Sequence, residues 1–193
     1  MKKLNLMKIT ILLLVVIFHA YSVYSQWYPA NETPFITYSM SFFSALAYMR
    51  MPTFVAISGY IYYYLTYEKQ SYNNTAEVFN KKVRRLLFPF FSTAIFWNIP
   101  MAFIFLNYNQ EDVINNYILA KAPNQLWFLL MLFEVFCVFL ILTRFIDFNR
   151  INMIPIGLSL LLVYYFTYIL KYLGFQNYFQ YFEGLKYLLF FFI

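Results

Sequence analysis

Long apolar runs separated by short polar connections organise this chain from end to end. A helix needs about 20 mostly apolar residues to cross the hydrocarbon core of a bilayer. Five runs reach that length: roughly Lys8 to Ser25, Phe42 to Leu65, Leu86 to Leu106, Gln125 to Thr143 and Asn152 to Leu170. A sixth begins near Leu185 and is still apolar at Ile193, so it reads as truncated. The pattern predicts an all-α polytopic transmembrane helix bundle with five full spans and a truncated sixth, forming one membrane domain over residues 1–193. The polar stretch YEKQSYNNTAEVFNKKVRR reads as a connecting loop, and no internal repeat or glycine-rich phosphate loop interrupts the series.

Composition agrees with lipid rather than water as the solvent. The chain is 63% hydrophobic and only 11% charged, against about 25% charged for ordinary soluble domains. Charge then sets the orientation, because Lys and Arg concentrate in cytoplasmic loops. The amino end carries Lys2, Lys3 and Lys8, the connection after the second span Lys69, Lys81, Lys82, Arg84 and Arg85, and the one after the fourth Arg144 and Arg150. The opposite connections hold Lys121, Lys171 and Lys186. This places the amino terminus in the cytoplasm. It also accounts for most of the net charge of +6, so the basic balance is read as topology and no nucleic-acid partner is expected. An alternative for residues 1–25 is a cleavable secretory signal, with a basic start, an apolar middle and the small residues Ser22 and Ser25 near its end. His19 interrupts that apolar middle, and the later spans already supply insertion. The single cysteine, Cys137, lies in the fourth span, which rules out an internal disulfide.

Ionisable groups inside spans are costly and face a protein interior or a watery cavity. His19, the only histidine, Arg50 and Glu134 are three such groups. At about 1.5 Å per residue, His19 and Arg50 both fall roughly 5 Å outside the midplane. Glu134 lies near the middle of the fourth span, within reach of Arg50 if the two helices are neighbours. Each group has a structural reading: an Arg50–Glu134 ion pair, and for His19 a neutral imidazole hydrogen-bonded between helices. The stretch RMPTFVAISGYIYYY adds Ser58 and Gly59, small enough for another helix to approach closely, and Pro52, a potential kink. In KKVRRLLFPFF, Pro89 falls in the first turn of the third span, where proline is tolerated. Lys82 and Arg85 are three apart and on a helix would share a face. They read either as an ordinary cytoplasmic anchor or as a grip on one pyrophosphate.

In that order and spacing, ILLLVVIFHAY, RMPTFVAISGY, KKVRRLLFPFF and NQLWFLLMLF resemble the successive signatures of the membrane-bound acyltransferase 3 family, bacterial O-acyltransferases that modify surface polysaccharides and other extracytoplasmic sugars. The resemblance covers the amino-terminal part of the family's longer domain. Carried over, it makes His19 the first-helix histidine and Arg50 the arginine preceding the SGY helix, which together form the catalytic pair. Lys82 and Arg85 take the positions of a paired-arginine motif that binds the donor. Lysine at the first position keeps the charge and loses bidentate phosphate geometry. Trp127 matches the tryptophan of LWFL, and Ser58 and Glu134 join it as supporting residues.

The resemblance implies acetyl-CoA or another acyl-CoA as donor substrate, no metal, and a carbohydrate or lipid-linked glycan as acceptor, in the bacterial cytoplasmic (inner) membrane. Imidazole suits the base that such a transfer needs near neutral pH. Two further readings stay open: a transporter or flippase, which also places ionisable groups in mid-membrane, and an inactive remnant of an acyltransferase gene. A partner chain supplying further helices would argue against the remnant.

Overall fold

The computed structural model describes residues 6, 9–10, 12–17, 34–72, 74–105, 107–121, 126–145 and 153–192. All regular structure among them is helical, with no strand. Residues 12–17 are helical. Helix α1, Pro34–Tyr63, runs on through Pro52 into a π-helical turn, Tyr64–Glu68. Its 30 residues make a rod of about 45 Å.

The next helix begins well before the apolar run that announced it. Asn74 accepts hydrogen bonds from the backbone N–H groups of Ala76 (3.0 Å) and Glu77 (3.4 Å) and so caps α2, Thr75–Lys82. Glu77 and Lys81 pair along it at 2.5 Å, the i, i+4 spacing that favours helix. The basic stretch expected as loop is therefore the first part of a continuous rod: α2, a π turn at Val83–Leu87, α3 (Phe88–Thr93), a second π turn at Ala94–Asn98, and α4 (Ile99–Phe105).

Each π turn ends just before a residue followed by proline, Pro89 in one case and Pro100 in the other. Proline lacks an N–H and its ring crowds the carbonyl four residues back. Those carbonyls belong to Arg85 and Phe96, both inside the π turns. The wider turns absorb the crowding and the rod continues. Thr75–Phe105 and Ile154–Tyr172 are the two described helices long and apolar enough to cross a membrane, and Trp127–Thr143 is a shorter apolar helix.

Beyond the rod, a reciprocal capping box between Asn109 and Asp112 starts the short α5, Gln110–Val113, which passes into a π turn at Ile114–Ile118. The remaining helices are α6 (Trp127–Phe145), α7 (Met153–Tyr172) and α8 (Tyr181–Phe191). Helix α8 lies against α1, α6 and α7, and its Leu188 and Phe191 join Val55, Tyr62, Met131, Val135, Phe139 and Leu160 in the main core. The ring of Tyr62 stands edge-on to Phe139 at 4.9 Å, and Phe191 meets Phe136 at 5.0 Å.

Close approach at this centre depends on Gly59, where a Cβ would overlap the carbonyl of Phe191. Outward, large apolar side chains stand open, Phe96 at 81% and Leu162 at 71% exposure among them, a surface that suits hydrocarbon. Gly59→Val is expected to cost roughly 1–3 kcal/mol by forcing α1 and α8 apart. Gly157→Ala, where nothing lies within 4 Å, is expected to hold or gain up to about 1 kcal/mol from helix propensity. Thermal unfolding of the two variants in one detergent reads the contrast.

Candidate functional site

His19 lies outside the described residues. Arg50, near the middle of α1, is buried with 6% exposure, and its Nη1 donates to the backbone carbonyl of Leu14 at 3.3 Å. The guanidinium therefore ties α1 to the helical segment 12–17, the part of the chain that leads to His19.

Glu134 stands on α6 with Oε2 buried and without a hydrogen-bond partner. It packs on Gly184 of α8, where a Cβ would come within 2.6 Å of Oε2 and 3.3 Å of the Glu134 Cβ. No ion pair joins it to Arg50, contrary to the pairing expected from depth alone. The register of the helices explains why. Phe54 meets Phe128 at 5.3 Å and Tyr62 meets Phe139 at 4.9 Å, so α1 and α6 run parallel. Arg50 precedes Phe54 by one turn while Glu134 lies well past Phe128, which separates the pair by about 15 Å along the bundle. Burial of the unpartnered oxygen costs roughly 1–3 kcal/mol.

Lys82 and Arg85 differ in their surroundings. The Lys82 ammonium is half-buried, 3.5 Å from the ring centroid of Phe136 on α6 and 6.0 Å from that of Tyr72, while Arg84 and Arg85 are exposed. The i, i+3 rule assumes an α-helix, whereas Arg85 lies inside the π turn Val83–Leu87. Of the supporting residues, Ser58 donates to its own helix at the Phe54 carbonyl (2.9 Å). Trp127 opens α6 with its ring 6.1 Å from Tyr187 and 5.9 Å from Phe128.

Sequence reasoning passed over three features. Asn98, buried in the second π turn, leaves Nδ2 without a partner; only its polarity within an apolar run marked it. Gln180 is buried and donates through Nε2 to the carbonyls of Ala120 (2.7 Å) and Lys121 (2.8 Å), a contact no local pattern announces. Lys186 lies between the rings of Tyr168 and Tyr187 with Glu183 beside it; the i, i+3 charge pair at the head of an apolar run was its signal.

A family model described as an acyltransferase domain matches residues 1–193. The chain belongs to the acyltransferase 3 family. Its chemistry is therefore acyl transfer, and its setting is membrane-associated. No curated protein and no solved structure matches the chain. For this acyltransferase 3 member, Glu134→Met is expected to hold or raise the thermal midpoint, because an apolar side chain of similar volume relieves an unpaired buried oxygen. A midpoint that falls in differential scanning fluorimetry would mean the carboxyl contributes to folding.

Proposed function

We propose that the protein is an integral-membrane O-acyltransferase that moves an acyl group, in the first instance acetyl, from acyl-CoA to a hydroxyl of an extracytoplasmic or lipid-linked sugar. The observation that carries this reading is the family match over residues 1–193. In the proposed step His19 accepts the proton of the acceptor hydroxyl while its oxygen attacks the thioester carbonyl. The C–S bond then breaks, and the departing coenzyme A thiolate takes up a proton. Arg50 stabilises the oxyanion or orients the acceptor, and its bond to the Leu14 carbonyl supports a place beside the segment that leads to His19.

Donor phosphates enter from the cytoplasmic end of the rod 75–105. There Arg84 and Arg85 are exposed and Arg85 makes the phosphate contact, while Lys82 contributes charge from its place over Phe136. The proposed topology has five crossings and a cytoplasmic amino end in the bacterial inner membrane. Its support is the contact of two connections that alternate crossing puts on the same, extracytoplasmic side: Gln180 donates to Ala120 and Lys121, and the Phe179 N–H to the Leu119 carbonyl at 2.9 Å.

Replacing His19 with Ala is expected to abolish transfer of radiolabelled acetyl from acetyl-CoA to the host glycan while leaving membrane insertion intact; undiminished labelling removes the base assignment. Arg85→Ala is expected to raise the KM for acetyl-CoA about tenfold, the loss of one charge-assisted contact, with Lys82→Ala the weaker of the two. For topology, a cysteine at Asn109 should react with an impermeant maleimide added outside intact spheroplasts and one at Asn80 should not; the reverse pattern inverts the orientation.

A further inference from the structure

Where α7 and α8 run side by side near the turn that joins them, rings, phenol hydroxyls and one ion pair converge. Lys186 and Glu183 sit one turn apart on α8 with Nζ and Oε2 at 3.6 Å, and their side chains are only 26% and 23% exposed. The ammonium lies 5.5 Å from the ring centroid of Tyr168 and 5.6 Å from that of Tyr187. On α7 the hydroxyls of Tyr164 and Tyr168 stand 3.1 Å apart, and Trp127 of α6 extends the aromatic row past Tyr187. Three helices thus contribute to one patch that none of the proposed reaction steps uses.

Membrane proteins place Tyr and Trp at both interfaces as anchors, and a lysine among them normally reaches for water. Here the lysine is three-quarters buried, held between two rings and neutralised by a carboxylate. Because the ion pair has no net charge, the patch lacks the excess positive field that recognises a phosphate. What it offers is flat aromatic surface beside donors and acceptors of both kinds: an ammonium with three N–H groups, a carboxylate and paired phenols. Ligand sites combine a mostly apolar lining with a few convergent polar groups in this way. A pyranose ring is the complementary shape, with C–H faces for the rings and hydroxyls for the polar groups.

We infer that Glu183, Lys186, Tyr168 and Tyr187, with Trp127 at the margin, form a binding site for an uncharged pyranose, the acceptor sugar or one next to it in the glycan. This rests on the acyl-transfer reading for its place in the reaction, though the binding itself does not. Tyr168 lies one turn before the end of α7, and Lys186 a little over one turn after the start of α8. The site is thus within about 8 Å of the helix ends, at the end of the bundle where Gln180 joins the two connections. On the proposed topology that is the outer membrane interface, where a glycan headgroup resides.

The test uses the full chain in lipid nanodiscs with Trp27 and Trp97 replaced by Phe, leaving Trp127 as the single reporter. Titration with methyl β-D-glucopyranoside, methyl N-acetyl-β-D-glucosaminide or a polyprenyl-linked glucoside is expected to give a saturable emission change. Saturation by a methyl glycoside means that the ring suffices; saturation by the polyprenyl form alone means that the ligand is lipid-linked. Lys186→Met should weaken binding about tenfold, as expected for losing a hydrogen bond to a charged group. Lys186→Arg should recover part of it, and Tyr168→Phe, which removes one hydroxyl and keeps the ring, should cost a few-fold.

No saturable change with any probe overturns the inference, and so does a response identical in all variants. A change that follows the phosphatidylglycerol content of the nanodisc and ignores sugars also overturns it, and marks an anionic-lipid site. Labelled-acetyl transfer separates the two proposals. If transfer is absent but glycosides still bind, the enzymatic reading fails and the site stands. If transfer proceeds with an unchanged acceptor KM in Lys186→Met and that variant binds glycosides as the unsubstituted chain does, the site fails and the enzyme stands.

Discussion

Inside a bilayer, lipid tails solvate an apolar helix as well as another helix does, so association rests on how closely backbones can pack and on the polar contacts made there. In this protein that closeness is supplied at two glycines. Gly59 receives the carbonyl of Phe191, and Gly184 receives the side chain of Glu134. Together they seat α8 against α1 and α6, and the rings of Tyr62, Phe136, Phe139 and Phe191 interlock around that seat. With α8 so placed, its other face meets α7 and builds the Lys186 and Tyr168 patch.

The charged groups of the interior are accommodated by three different means. Arg50 reaches a main-chain carbonyl on another segment. Lys82 rests on an aromatic face, an attraction that strengthens as water is excluded. Lys186 has both a carboxylate and two rings. Glu134 has one oxygen buried without a hydrogen-bond partner. Groups satisfied by the scaffold hold it in place, whereas an unsatisfied one is a place where substrate or proton has something to meet.

Much of the helical architecture was legible in the spacing of apolar residues, because a segment that must satisfy its own backbone in lipid has few options besides helix. The start of the rod at Thr75 was not, since its first turns are polar and their signal is a cap at Asn74 rather than hydropathy. The π turn at Val83–Leu87, ahead of Pro89, was not legible either, because periodicity assumes an unbroken α-helix. The close approach at Gly59 was readable from the small residues of the SGY stretch. The Arg50 and Glu134 pairing was not, because depth within separate helices leaves their relative register free, and that register is set by ring contacts between Phe54 and Phe128 and between Tyr62 and Phe139. The family motifs carried His19, whose surroundings no composition argument could supply.

The central position of α8 bears on how the molecule is made. Chains emerge from the ribosome amino end first, so α1, α6 and α7 enter the bilayer before the helix that fills the space among them. Until α8 arrives, the seats at Gly59 and around Glu134 face lipid or the insertion machinery, and the carbonyls of Ala120 and Lys121 await the side chain of Gln180. Biogenesis therefore passes through a stage in which the earlier helices are inserted but unlocked, and the arrival of α8 locks them together from within.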